Sequence, residues 1–374
     1  MAEVLVTGGA GFIGSHLVDA LVERGDRVRV VDALFPQVHE SRPSYLQPRV
    51  DYRFKDLRDP GAVPEALEGV DTVFHLAAAV GVGQSMYQVD HYVDANSRAT
   101  AVLLQALTER THRVRKLIVA SSMSIYGEGA YRCPSCGPIA PSLRPTAQLA
   151  SREWEVKCPQ CGMAATPVPT REEKPLQPTS VYAVTKRDQE ELALAVGRAF
   201  GIPTVALRFF NVYGTRQALS NPYTGVCAIF GNRLLHRQPP IVFEDGKQSR
   251  DFVSVHDIVR GMLLAESSSA ADYRALNLGT GRPTTVAEIA ALLGRLHGQP
   301  IPAQVTGEFR AGDIRHCIAD ISKARDLIGF RPSVPLEEGL AEFVAWSRTQ
   351  GGLDRSETAY RELADRGLVQ GGQR

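Results

Sequence analysis

The stretch "VLVTGGAGFIGSHL" (4–17) restricts the fold of this chain more than any other. Its first four residues read as a buried strand, Gly8, Gly11 and Gly14 follow at three-residue spacing, and helical periodicity begins at once. Glycines serve where a chain must turn tightly and lie against a neighbouring backbone. A helix starting there offers free N–H groups and a positive dipole end to an anion such as a pyrophosphate. A Gly-rich turn alone says little, but this one opens a βαβ unit. The second strand, "RVRVVD" (27–32), ends on Asp32, about where an acid would accept hydrogen bonds from ribose hydroxyls. Gly8, Gly11, Phe12, Ile13, Gly14 and Asp32 therefore form a candidate dinucleotide site. Asp32 repels a 2′-phosphate and no basic residue immediately follows it, which favours NAD over NADP.

The alternation continues. "VDYRFKD" (50–56), "DTVFHLAA" (71–78), "KLIVASS" (116–122) and "PTVALRFFN" (203–211) read as further strands, with helical spacing around 14–24, 61–68, 88–110 and 180–200. Near-continuous apolar strands alternating with helices predict an α/β fold: a Rossmann-type doubly wound parallel sheet covered on both faces. Residues 1–211 are expected to form this domain, with 252–266 a candidate to return to it. Residues 127–178, rich in Pro, Cys and Gly, are expected to be an insertion; 212–349 a smaller α/β lobe; and 350–374 a frayed polar tail.

A formal net charge of +1 gives no broad basic field, so neither nucleic acid nor a membrane surface is an expected partner. No apolar run approaches the ~20 residues of a membrane-spanning helix. Strand-like sequence from Glu3 leaves no room for a signal peptide, and a cytoplasmic location is expected.

"SVYAVTK" sets Tyr182 and Lys186 at i and i+4, on one helix face, after a helix start at Pro178–Ser180. A nearby ammonium, the helix dipole and the positive charge of oxidised nicotinamide would all favour a tyrosine phenolate, a base for a sugar alcohol. The pair alone is common on protein surfaces; behind a dinucleotide cradle it is a candidate catalytic pair that also faces the cofactor.

Gly-x-x-Gly-x-x-Gly followed by Y-x-x-x-K resembles the extended short-chain dehydrogenase/reductase family along nearly the whole chain. The resemblance implies adenine contacts at Asp56 and Leu57 in "KDLRD", backbone contacts at Leu76, Ala77 and Ala78 in "HLAA", and a further cofactor residue at Asn96. The catalytic hydroxyl of the family falls on Ser122 in "SSMSIYG", with Ser124 beside it on the substrate. Sugar-nucleotide dehydratases carry Asp and Glu after that hydroxyl; here Met123 and Ser124 stand there, which argues against water elimination. "AAAVGVG" replaces the proline-containing loop of UDP-glucuronate decarboxylases.

Nucleotide-sugar members also imply substrate contacts at Asn211, Thr224, Phe243, Arg250, Arg310 and Asp313. Two guanidinium groups match pyrophosphate oxygens, and a carboxylate suits a ribose hydroxyl. The expected activity is an NAD-dependent 4-epimerase of nucleotide-diphosphate sugars, the branch most resembled being the dTDP-L-rhamnose 4-epimerases, with a UDP-hexose as the other candidate substrate. A 4-ketoreductase is the nearest alternative, and a non-catalytic dinucleotide-binding scaffold the alternative of another class. The family also implies a homodimer through helices 88–110 and 180–200.

Of six cysteines, four form two C-P-x-C-G knuckles, Cys133/Cys136 and Cys158/Cys161. Paired knuckles of this kind suit a tetrahedral four-thiolate site, with a structural zinc expected and iron as competitor. The segment between them is not strongly basic. The expectation is a zinc-ribbon-like module that orders a rim of the sugar pocket and takes no part in the chemistry.

Overall fold

The computed structural model describes residues 1–109, 112–298 and 300–371, so the predicted helix end at 110 and the tail residues 372–374 lie outside the described residues. Seven strands, β1 (Glu3–Thr7), β2 (Arg27–Val31), β3 (Asp51–Arg53), β4 (Thr72–His75), β5 (Lys116–Ser122), β6 (Thr204–Phe209) and β7 (Arg274–Leu278), form one parallel sheet. Their order is β7-β6-β5-β4-β1-β2-β3. Strand order reverses between β1 and β4, and that switch opens a crevice at the carboxyl ends of the strands.

Alternate residues along each strand feed opposite faces, which is why the strands read as continuous apolar runs. Val4, Val6, Ile118 and Leu207 pack against Leu17 and Leu21 of α1 (Phe12–Arg24). Leu5, Val73 and Val119 pack on the other face against Leu103 and Leu107 of α2 (Ala99–Thr108) and Ala193 of α3 (Val181–Phe200). Helix α4 (Val255–Ser267) returns to the first face, burying Ile258 and Met262 there.

The smaller lobe gathers strands Asn211–Tyr213, Ser249–Ser254, Pro283–Thr285 and His316–Cys317. Its core holds Phe230, Ile289, Leu293 and Phe343. The chain passes between sheet and lobe repeatedly, since β6 and then α4 with β7 belong to the sheet while lobe strands lie between β6 and α4 and again after β7.

Four expectations change. "RALNLG", assigned to the lobe, supplies β7, because a five-residue apolar strand pairs equally well in either sheet until its neighbour Thr204–Phe209 is known. The single helix expected at 88–110 is Val89–Tyr92, a π-helical turn at Val93–Arg98 and α2. The strand read as 203–211 ends at Phe209, and Asn211 begins a lobe strand paired with Phe252–Ser254. Finally, much of the tail is ordered: Ser356–Asp365 is a helix and Val369–Gln370 pairs antiparallel with Phe309–Arg310. Burial of Ala359 and Leu363 on an otherwise polar helix explains both the order and its faint signal.

Residues 127–178 insert between β5 and α3. Ala130–Cys133 pairs with Gly137–Ile139 and with Thr166–Val168 in an antiparallel sheet. Its apolar core is small: Tyr131, Val156 and Ala165, with Ile139 against them.

Candidate active site

At the carboxyl end of β1 the glycines are sterically required. A Cβ on Gly14 would lie 2.1 Å from the Gly8 carbonyl oxygen, and one on Gly8, at φ +71, would lie 2.8 Å from Ala77 N. Gly11 is the N-cap of α1, with no side-chain cap and no acidic residue in the first turn, so the N–H groups around Phe12 and Ile13 face the crevice without a competing carboxylate. Asp32 is held by two backbone N–H groups, Ala10 N to Oδ2 and Leu34 N to Oδ1, both at 2.9 Å. Each carboxylate oxygen keeps a lone pair for a ribose hydroxyl. These features fit an adenine dinucleotide.

Leu76, Ala77 and Ala78 continue β4 along the crevice, Leu76 N and Ala77 N bonding to Thr7. Two of the candidates have partners of their own within the chain. Asn96 is fully buried, with its amide spent on the Ala79 N–H and carbonyl and on Thr185 Oγ1, so it fixes the 77–79 loop to α3 and does not itself reach into the crevice. Asp56 is already bidentate with Arg58, whose other nitrogen holds Asp94; that ion pair lowers the Asp56 pKa. Leu57 beside it is buried.

The candidate catalytic trio converges where β5 ends and α3 begins. Ser180 caps α3 by accepting from Ala183 N, which sets Tyr182 in the first turn, half-buried. Ser122 Oγ accepts from both N and Oγ of Ser124, at 3.2 and 2.9 Å, so the two hydroxyls form one chain aimed at Tyr182. Burial raises the Tyr182 pKa, and its hydrogen bond with Ser122 opposes that. Lys186 is buried, and burial lowers its pKa to about 7 against the pull of Glu190. The ammonium bonds the Ala120 carbonyl and, at 2.7 Å, Gln189 Oε1. Burial is the largest influence on both groups, and Lys186 is engaged by the Ala120 carbonyl and Gln189.

Behind the trio lies a buried polar layer that sequence reasoning missed. Gln189 Nε2 donates to Thr100 Oγ1 (2.7 Å), Thr100 donates to the Asn96 carbonyl (2.7 Å), and His75 bridges Thr7 and Thr100 at 2.8 Å on each side. Burial lowers the His75 pKa to about 3, which makes it a neutral, satisfied core histidine. Glu190 pairs with Arg208 and accepts from Ser121 Oγ, tying β5, β6 and α3 together. The one available signal was spacing: Gln189 and Glu190 share the Lys186 face of α3 at i+3 and i+4.

In the lobe, Asn211 Oδ1 is buried without a hydrogen-bond partner and stands ready for a ligand donor. Arg310 and Asp313, assigned separate contacts, bond each other at 2.7 Å. Burial raises the Asp313 carboxyl, but Arg310 and Arg250 outweigh it and leave its pKa lowered. Arg250 does not project freely as a clamp: it donates to the carbonyls of Ser249, Ile314 and Arg315. Phe243 carries Arg310 over its ring at 4.9 Å. Thr224 closes the turn begun at Asn221, next to Tyr223, which bonds Tyr87 and Glu362 across the cleft.

The four knuckle cysteines meet, with their sulfurs all within 4.8 Å of one another. A buried charge cluster docks this insertion on the lobe. Fully buried Arg315 bonds Glu155, Glu244 and Asp245, while Arg144 bonds Glu244 and approaches Glu128.

A glycine cradle, an acid-capped second strand and a Ser–Tyr–Lys trio facing one crevice define a dinucleotide-dependent short-chain dehydrogenase/reductase. Residues 4–146 match the NAD dependent epimerase/dehydratase family and residues 162–343 the GDP-mannose 4,6 dehydratase family. The chain is 34% identical over 357 residues to dTDP-L-rhamnose 4-epimerase of Burkholderia thailandensis, covering 94% of this chain and 96% of that one. The UDP-glucose 4-epimerase of Thermotoga maritima, solved with UDP-glucose, superposes with a TM-score of 0.75 at 32% identity, covering 92% of this chain and 98% of that one. The Thermus thermophilus UDP-glucose 4-epimerase, solved in complex with NAD, gives 0.75 at 29%, covering 93% and 100%. The protein belongs to the NAD-dependent epimerase/dehydratase family.

Proposed function

We propose that the chain is an NAD-dependent nucleotide-sugar 4-epimerase whose substrate is a dTDP-deoxyhexose or a UDP-hexose. The observation that carries this is the Ser122–Tyr182–Lys186 trio beside the glycine cradle, with Met123 and Ser124 where elimination would need two acids. NAD, when bound, supplies a hydride acceptor that becomes the donor again within each cycle. Gly8, Gly11 and Gly14 admit its pyrophosphate and Asp32 its ribose. Tyr182 takes the proton from the sugar 4-hydroxyl and returns it after the 4-keto sugar has turned over. Ser122 and Ser124 orient that oxygen, and Lys186, one helical turn from Tyr182 and with its pKa lowered to about 7, can exchange a proton behind it. Arg310, Arg250 and Asp313 place positive charge and an acceptor at the nucleotide end, with Asn211 between. Incubation with a panel of nucleotide sugars, read by absorbance at 340 nm and product NMR, tests this. Interconverted 4-epimers with no net change in reduced cofactor are expected; stoichiometric consumption of NADH with a 4-keto sugar would make the protein a reductase.

The cysteine cluster holds a structural zinc, with iron as its competitor. Four thiolates around zinc at ~2.3 Å stand about 3.8 Å apart, and the Cys133–Cys161 pair at 3.5 Å is close to that. A module whose apolar cluster holds only three buried residues needs such a staple. A homodimer is supported by exposed Val89 and Val93 on one helical segment and Val184 and Leu192 on α3. Six free cysteines suit a reducing cytoplasm, and no helix among the described residues is long and apolar enough to cross a membrane.

A further inference from the structure

A cavity of about 860 Å³ lies where the cysteine module, the lobe and the C-terminal helix meet, walled by Arg152 and Trp154, by Ile241, and by Tyr360. It adjoins the nucleotide end of the site described above. Tyr360 stacks on Phe243, with ring centroids 6.4 Å apart and planes 21° apart, and Phe243 lies under Arg310. Trp154 meets Phe309, the neighbour of Arg310, edge-on at 6.5 Å. Both Trp154 and Tyr360 are half-buried, each leaving ring surface uncovered.

The charge of the cavity decides what it can hold. Glu244, Asp245, Glu308 and Glu357 line it, together with Arg152 and Arg361. The first two are neutralised by Arg315 and the third accepts from the Tyr360 hydroxyl at 2.8 Å. With its charges paired or balanced in this way the wall gathers no excess of positive charge for a diphosphate, whereas a neutral planar ring gains the uncovered faces of Trp154 and Tyr360. Position adds a second argument. Trp154 falls in the gap between the two family matches, at 147–161, and Tyr360 lies beyond their end at 343. Both lie outside the residues that the two family models match, where specificity is set more readily than in the shared scaffold.

We propose that Trp154 of the cysteine module and Tyr360 of the C-terminal helix form the subsite for the nucleobase of the substrate and set which base is accepted. This rests on the nucleotide-sugar reading. It also gives the metal module a second role, because the rim it orders carries a ring that reads the base.

The protein has two tryptophans, Trp154 and Trp346, so a Trp346→Phe variant leaves Trp154 as the sole indole reporter. NAD-loaded protein is titrated with dTDP, UDP, GDP and inorganic pyrophosphate. Nucleoside diphosphates should change Trp154 emission and pyrophosphate should not. Trp154→Ala and Tyr360→Ala should each weaken the preferred nucleoside diphosphate by roughly tenfold to a hundredfold, the range for a lost base–aromatic stack. Pyrophosphate affinity should stay unchanged and the preference among bases should narrow. Two substitutions on separate segments guard against one variant disturbing its own module. If nucleoside diphosphates bind the parent protein but neither variant nor the emission responds, the subsite is refuted while the nucleotide-sugar reading stands. If no nucleoside diphosphate binds at all, both fall.

Discussion

Lys186 should destabilise the protein it serves. Its pKa of about 7 in the folded chain, against 10.5 for the free side chain, means the fold penalises the ammonium. Between those values the folded chain binds fewer protons than the unfolded one, so stability rises as pH climbs through that window and is lowest below pH 7. The full difference corresponds to roughly 5 kcal/mol at 1.36 kcal/mol per pH unit. Between pH 6 and pH 9 about 3 kcal/mol of it should be recovered. Lys186→Met removes the titration and forfeits the bonds to the Ala120 carbonyl and Gln189, a loss of about 1–3 kcal/mol. Urea unfolding of dinucleotide-free wild-type and variant protein at both pH values cancels every other titrating group. The expected outcome is a variant with a pH response about 3 kcal/mol flatter, more stable than wild type at pH 6, and with turnover reduced by at least about a hundredfold. Parallel pH responses would refute the reasoning, because the lysine would then carry its charge at no cost.

Three further outcomes follow from the same geometry. Gly14→Ala should lose bound NAD and about 2–3 kcal/mol or more of stability, because its Cβ would meet backbone at 2.1 Å; Gly11→Ala, whose Cβ would stand 3.4 Å from the nearest atom, should keep the fold. Retained dinucleotide absorbance and thermal unfolding measure both. Arg315→Met should cost about 3 kcal/mol in denaturant unfolding, since it leaves buried Glu244 with Arg144 alone and takes the partner from half-buried Asp245; a loss below about 1 kcal/mol would show that the cluster relaxes. Cys136→Ser, or chelation, should release one metal equivalent by elemental analysis, expose 127–178 to protease and raise KM more than it lowers kcat; unchanged protease resistance in metal-free protein would count against the staple.

The sheet, the cradle and the Tyr182–Lys186 pair were legible because each rests on local regularity: near-continuous apolar strand runs, glycines at fixed spacing, and an i, i+4 pair behind a helix cap. What escaped was long-range. Nothing near "SLRPT" marks Arg144 as the partner of Glu244, one hundred residues away. Nothing in "RAGDIRH" shows that Arg250 would brace the 314–315 backbone while Arg310 and Asp313 bond each other. The C-terminal helix was unreadable for a related reason: its polar face, not its two buried apolar residues, faces the cavity it helps to wall. The four cysteines were legible as a group because C-x-x-C doublets are local; their docking through Arg315 was not.

The repeated passage of the chain between sheet and lobe bears on how such a protein can diversify. Because α4 and β7 fall between lobe segments along the chain, the substrate lobe is no contiguous cassette. Transplanting it means exchanging separate stretches, roughly 211–254, 283–317, Leu336–Ser347 and the C-terminal helix, while preserving every junction between them. The cysteine insertion is the exception. It leaves and rejoins the scaffold between one strand and one helix, so a single recombination event can gain, lose or trade it. If this insertion supplies a base-reading ring, new nucleotide preferences can arise by exchanging one modular rim while the hydride-transfer machinery is inherited intact.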